Sequence, residues 1–177
     1  MRCFIAIDMP KEIQVYLDGL AKSISGEKIK IVEKGKFHLT LGFLGTTKEF
    51  MVEKIKEALK DIDFEPFEAE LGHVGFFPNE SSVRVIFVYL EPRGKLKLLN
   101  QKIKDKLKPL GLKLGDFEAH ITLARVKYIK NLEKIVEELK ELKISPLKFK
   151  VDSFKLKRSF LTEKGSVYDD LEIFELF

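Results

Sequence analysis

The chain has 177 residues, 45% apolar and 34% charged, enough to bury one core or two small lobes around a shared one, and too apolar for a disordered tail. Its longest apolar runs, Val85 to Leu90 and Phe4 to Ile7, fall far below the roughly 18 to 20 residues that span a bilayer, so no membrane segment is expected. A net charge of +4, from 32 basic and 28 acidic residues, permits a polyanionic partner without requiring one.

The N-terminus reads as a strand from Cys3 to Asp8. It meets an acid after four apolar residues and has no small-residue cleavage site, so no signal peptide is expected and the chain is assigned to the cytoplasm. Cys3 is the only cysteine, which excludes an internal disulfide or a cysteine zinc cluster and leaves a buried apolar role. Pro10 then opens a helix carrying Ile13, Leu17, Leu20 and Ile24 on one face, with Gly26 as its stop. A Lys-rich link leads to Phe37 to Phe43, which alternates as a strand. Thr46-Thr47-Lys48-Glu49 reads as a capping box opening a second helix to about Lys60.

Phe67, Ala69 and Leu71 mark another strand, and Gly72 to Asn79 reads as a turn-rich passage broken by Gly75 and Pro78. The apolar strand Val83 to Leu90 follows, then a helix with Leu96, Leu99, Ile103 and Leu107 on its inner face, ended by Pro109 and Gly111. Ala119 to Arg125 is a second strand of the Phe37 to Phe43 kind, and Asn131 caps a helix bearing Leu132, Ile135, Val136 and Leu139. The tail alternates as β structure with a change of phase near Asp152, the mark of a bulge, and turns at Lys164-Gly165. Abundant lysine and glutamate beside only two glutamines, Gln14 and Gln101, match the composition of heat-adapted proteins.

Self-similarity organises this order. Arg2, Pro10, His38 and Thr40 recur without a gap 82 residues on as Arg84, Pro92, His120 and Thr122. The reading is α+β: a bilobal internal duplication with two mostly antiparallel sheets, helices outside and a central cleft. The first lobe is residues 1–80, the second 81–160, and strands in 161–177 return to the first.

With three histidines and five threonines in the chain, two His-x-Thr motifs are a coincidence of roughly a few in a thousand. Side chains at i and i+2 of a strand share a face, so His38 pairs with Thr40 and His120 with Thr122, and a two-fold relation sets the imidazoles opposite each other. Such a pair suits phosphodiester chemistry, because imidazole titrates near pH 6.5 and one ring accepts a proton while the other donates one. The threonine hydroxyls are placed to hold nonbridging phosphate oxygens as charge develops. No metal and no cofactor is needed. His73 lacks a threonine partner and is assigned a structural or surface role, and no histidine spacing fits a zinc site. Lys34, Lys36, Lys155, Lys157 and Arg158 are read as a solvated face rather than an RNA path, and Phe76 and Phe77 as core.

These residues resemble the two-histidine (2H) phosphoesterases, in particular the RNA 2′,3′-cyclic phosphodiesterase or 2′-5′ RNA ligase family of bacteria and archaea. The resemblance spans Arg2 to Asp8, His38 to Gly45, Gly75-Phe76-Phe77-Pro78, His120 to Arg125 and Ser159-Phe160-Leu161. It implies hydrolysis of a 2′,3′-cyclic phosphate RNA end to a 2′-phosphate, and reversible ATP-independent 2′-5′ joining of tRNA-half-like ends. By position, His120 is the proton acceptor and His38 the proton donor. Thr40 and Thr122 grip the phosphate, and Phe43 and Arg125 flank the terminal base. A strict strand turns Phe43 and Arg125 away from the histidines, so the assignment demands local twist. The expected partners are an RNA with a cyclic phosphate end and a 5′-hydroxyl RNA, acting on a monomer. Two rival readings are a noncatalytic RNA-binding module and a 2H phosphodiesterase for 2′-5′ oligonucleotides or cyclic nucleotides.

Overall fold

The computed structural model describes every residue except Ser25 and Glu27. In chain order it runs β1 (Arg2–Asp8), α1 (Lys11–Lys22), β2 (Ile29–Ile31), β3 (His38–Thr46), α2 (Glu49–Leu59), β4 (Phe67–Asn79), β5 (Ser82–Glu91), α3 (Arg93–Leu107), β6 (His120–Val126), α4 (Leu132–Glu141), β7 (Lys148–Val151), β8 (Ser153–Thr162) and β9 (Gly165–Glu175). The class is α+β. All strand pairs are antiparallel, in the order β7-β4-β5-β6-β3-β1-β8-β9, with β2 beside β6.

This is one sheet where two were expected. The two motif strands join through a single register pair, Leu39 of β3 with Ile121 of β6, and β2 bridges the halves again by pairing with β6 from Ala124 to Val126. The sheet also curls strongly. Val151 ends β7 on one side of the order and Ser153 begins β8 near the other, and two residues of chain reach at most about 7 Å. The change of phase near Asp152 is therefore a strand break at which the chain changes sides of the sheet.

The central six strands, β4-β5-β6-β3-β1-β8, mirror one another about the β6/β3 join. Strand partners cut across the expected division into 1–80, 81–160 and 161–177. β4 pairs with β5, and β8 pairs with β1, so each half lends a strand to the other. Pro10 and Pro92, equivalent in the repeat, are the N-cap residues of α1 and α3. Their fixed φ starts a helix at the same point in each half.

Several local expectations change. α1 stops at Lys22 with Ser23 as its C-cap, before Gly26, although Ile24 remains buried. Thr47 Oγ1 donates to the Gly45 carbonyl and Lys48 is the N-cap of α2, so the capping box does not form. Asn131 is the N-cap of α4 through a left-handed backbone rather than a side-chain bond. The link after α1 holds the short strand β2. The supposed turn at 72–79 is the second half of β4, and the actual turn follows it, where Asn79 Oδ1 accepts from the Ser81 and Ser82 amides. Gly75 is there for space: a Cβ would meet the Phe87 ring at 2.4 Å.

Two buried amides hold the backbone of β3. Gln14 of α1 accepts from the Gly35 and Phe37 amides and donates to the Phe37 carbonyl at 2.7 Å, fixing the entry to His38. Asn100 of α3, 2% exposed, donates to the Leu41 carbonyl at 2.7 Å. Replacement of Asn100 by leucine strands that carbonyl inside the core, at a cost of about 1 to 3 kcal/mol. A urea midpoint lowered by that cost divided by an unchanged slope is the expected result.

Candidate active site

His38 and Thr40 begin β3, and His120 and Thr122 begin β6. Their alternate neighbours Leu39 and Ile121, both 0% exposed, point the opposite way into the core, as strand geometry demands. All four motif side chains line one cavity of about 580 Å³ on the concave side of the sheet.

Phe43 and Arg125 line the same cavity, although they stand an odd number of residues beyond each histidine. A β-bulge in each strand reverses the parity. On β3, Thr40 pairs with Ala6 and Gly42 with Ile5, which leaves Leu41 as the extra residue. On β6, Thr122 pairs with Phe87 and Ala124 with Ile86, leaving Leu123. The two bulges are equivalent in the repeat, and each shows as two consecutive buried residues, Leu41-Gly42 and Leu123-Ala124. A bulge takes a carbonyl out of the ladder, and here each finds a donor from the other half. Leu41 takes the Asn100 amide, and Leu123 takes the Val32 backbone N–H at 2.8 Å.

The imidazoles are held alike. His38 Nδ1 lies 2.8 Å from the Lys36 carbonyl and His120 Nδ1 lies 2.7 Å from the Glu118 carbonyl. A carbonyl only accepts, so each Nδ1 carries hydrogen and Nε2 is the nitrogen left to exchange a proton. Aromatic rings wall both sides: Phe4 and Tyr168 against His38, and Phe77 and Phe87 against His120. Burial pushes both imidazoles below the ordinary histidine value. The carbonyl bonds act against it, as do Asp8 for His38 and Glu118 for His120. Lys157 and His120 add to the depression of His38, and Arg125 to that of His120.

The remaining lining is cationic and hydroxylic. Arg2, Lys36 and Arg125 supply charge, Ser159, Ser166 and Tyr168 supply hydroxyls, and no carboxylate among the described residues takes part. Among the described residues, no three of His, Cys, Asp and Glu gather as a metal site. His73 is exposed beside Tyr89, outside the cavity.

Two sequence assignments are corrected. Phe77 belongs to the cavity wall rather than the core, because β4 continues past Gly75 and carries it to His120. The lysines do not form one solvated face. Lys36 lines the cavity, and Lys157 is 6% exposed, bound at 2.8 Å to Asp8 and 3.0 Å to Asp170. Sequence reasoning missed Tyr168, Ser166 and the cavity position of Arg2. Tyr168 and Ser166 lie on β9, far along the chain from either motif, and only the β8–β1 pairing brings them in.

A family profile described as the 2′-5′ RNA ligase superfamily matches residues 10–159. The RNA 2′,3′-cyclic phosphodiesterase of Archaeoglobus fulgidus is 38% identical over 177 residues, covering 99% of this chain and 100% of that one. A crystal structure from Thermus thermophilus superimposes with a TM-score of 0.81 at 30% identity, over 99% of this chain and 98% of that one. Escherichia coli LigT complexed with phosphate gives a TM-score of 0.76 at 25% identity, over 99% and 96%. With a doubled His-x-Thr site on a curled antiparallel sheet, the chain belongs to the 2′-5′ RNA ligase superfamily.

The depressed imidazoles set a pH dependence. The unfolded chain, with histidine near 6.5, takes up protons first as pH falls, so stability contributed by the neutral rings is intact above about pH 7 and declines through pH 6. A double variant with glutamine at positions 38 and 120 is expected to show a flatter melting temperature between pH 7 and 5 than the parent chain. Parallel curves would contradict the buried neutral state.

Proposed function

We propose that the chain is an RNA 2′,3′-cyclic phosphodiesterase. The reading rests chiefly on one observation: both imidazoles, each with Nδ1 held by a carbonyl, open into one cavity beside paired threonine hydroxyls. The extent of the match to relatives bearing that name supports it.

In this reading the terminal cyclic phosphate lies between the motifs, with Thr40 and Thr122 donating to its nonbridging oxygens. His120 Nε2 takes a proton from water as the water oxygen attacks phosphorus. The bond from phosphorus to the 3′ oxygen breaks, His38, entering the step as the imidazolium with hydrogen on both nitrogens, gives its Nε2 proton to that oxygen, and a 2′-phosphate remains. A 5′-hydroxyl in place of water yields a 2′-5′ linkage by the same transfers. The two rings meet matched influences, burial and a cation lowering and a carbonyl and carboxylate raising. That balance suits a reaction run in both directions, in which each ring alternately gives and takes the proton. Phe43, 67% exposed, and Arg125 offer a ring and a guanidinium to the terminal base.

No step uses a metal or cofactor. One chain supplies every group, so a monomer suffices, and an RNA substrate places the work in the cytoplasm. The 1–80 and 81–160 repeat is read as a duplication that equipped each half with one proton-transfer residue.

Incubation with an RNA bearing a 2′,3′-cyclic end, with and without a 5′-hydroxyl RNA, tests the reading by the products formed. His38→Ala and His120→Ala are each expected to lower hydrolysis by at least about 100-fold at matched folding. A loss below tenfold would refute the acid–base assignment. Thr40→Ala and Thr122→Ala are expected to cost less, since each removes one charge-assisted donor. Turnover is expected to persist in EDTA, and loss there with recovery on added metal would sink the scheme.

A further inference from the structure

The cavity extends beyond what a terminal phosphate and its base require. β1 carries its wall from Phe4, opposite Phe43, to Arg2, about 13 Å along the strand from Ala6, the register partner of Thr40. There Arg2 lies between two register partners, Thr46 of β3 and Ser159 of β8. Ser159 and Gly45 line the same stretch.

Neighbouring cations are already occupied. Lys36 Nζ is held at 2.8 Å by Glu33 and at 2.8 Å by the Ser166 carbonyl, and Arg158 pairs with Asp169 at 2.7 Å. Arg2 is exposed and pairs with no carboxylate among the described residues. A guanidinium fork beside a hydroxyl, in a cavity wall without carboxylates among the described residues, suits two oxygens of a phosphate. The repeat adds a contrast. Arg84, the counterpart of Arg2, lies outside the cavity and donates from Nη1 to the Lys127 carbonyl at 2.8 Å. The cleft therefore carries this cation on one arm only.

We infer that Arg2, with Ser159, forms a subsite for an internal phosphodiester of the same RNA strand, upstream of the cyclic end. This rests on the cyclic-phosphate reading above. It makes the chain selective for oligonucleotide ends, because a nucleoside 2′,3′-cyclic phosphate has no second phosphate to offer.

The test compares the parent chain and Arg2→Gln on three substrates: a nucleoside 2′,3′-cyclic phosphate, a trinucleotide with that end, and the same trinucleotide with neutral methylphosphonate internal linkages. On the natural trinucleotide Arg2→Gln is expected to lose about tenfold or more in kcat/KM, mainly through KM, since a bond to a charged group is lost. That loss is expected to exceed the loss on the mononucleotide by at least about fivefold. Neutral linkages should reproduce it in the parent chain, with the substitution adding little. Arg2→Lys, which keeps the charge without the fork, should recover part. Equal losses on all three substrates, or none on the natural trinucleotide, would overturn the subsite. If the parent chain turns over no cyclic phosphate, the catalytic reading falls and equilibrium binding decides the subsite. A trinucleotide ending in a 2′-phosphate should then bind about tenfold more weakly to Arg2→Gln, and equal affinities would reject the inference.

Discussion

The site depends on two extra residues, Leu41 and Leu123, each inserted into a strand one place beyond a His-x-Thr motif. Without them, alternation would give the cavity a histidine and a threonine and then bury the fifth residue on. With them, Phe43 and Arg125 return to the cavity face. Each insertion frees a carbonyl inside the protein, and an unpaired buried carbonyl is costly enough to select a regular strand instead. The donors that prevent this, Asn100 and the Val32 amide, come from the opposite halves of the chain. Local irregularity and the docking of the halves are thus one requirement: neither bulge is satisfied until the halves meet.

The electrostatics follow the same division between wall and core. Among the described residues the cavity wall has cations and no carboxylate, which favours an anionic occupant. Behind His38, Asp8 and Asp170 share Lys155 and the buried Lys157 in a closed network. A lysine at 6% exposure is tolerable only when paired in this way. The network spends the positive charge of β8 on structure, while Arg2 and Arg125 pair with no carboxylate among the described residues.

Much of this was legible in the sequence, for identifiable reasons. Element types followed from periodicity and breakers: the amphipathic helices, the alternating motif strands and the prolines that begin α1 and α3. The α+β class and the antiparallel pairing followed from their order. Strand partners were not legible, because the exchange of β4 and β8 between halves leaves no local mark, and so one curled sheet was read as two. Gly75 was taken for a breaker because a glycine that makes room for Phe87 looks the same as one that makes a turn. The need for local twist at Phe43 and Arg125 was visible as a conflict of parity. The device that resolves it was not, since Leu41-Gly42 and Leu123-Ala124 read as ordinary strand residues. Tyr168 and Ser166 escaped notice because nothing near them in sequence carries the motif.

The pairing of Arg2 with Ser159 and of Ala6 with Lys155 also bears on how the molecule is made. β1 leaves a ribosome well before β8, and one of its two edges stays open until β8 has been synthesised. Over that interval a strand whose central five residues are buried in the finished protein exposes a free backbone row. Contacts so distant along the chain close slowly, because the loop entropy must be met before the ladder rewards it. Biogenesis is consequently a race between synthesis of β8 and capture of β1 by a stray neighbour.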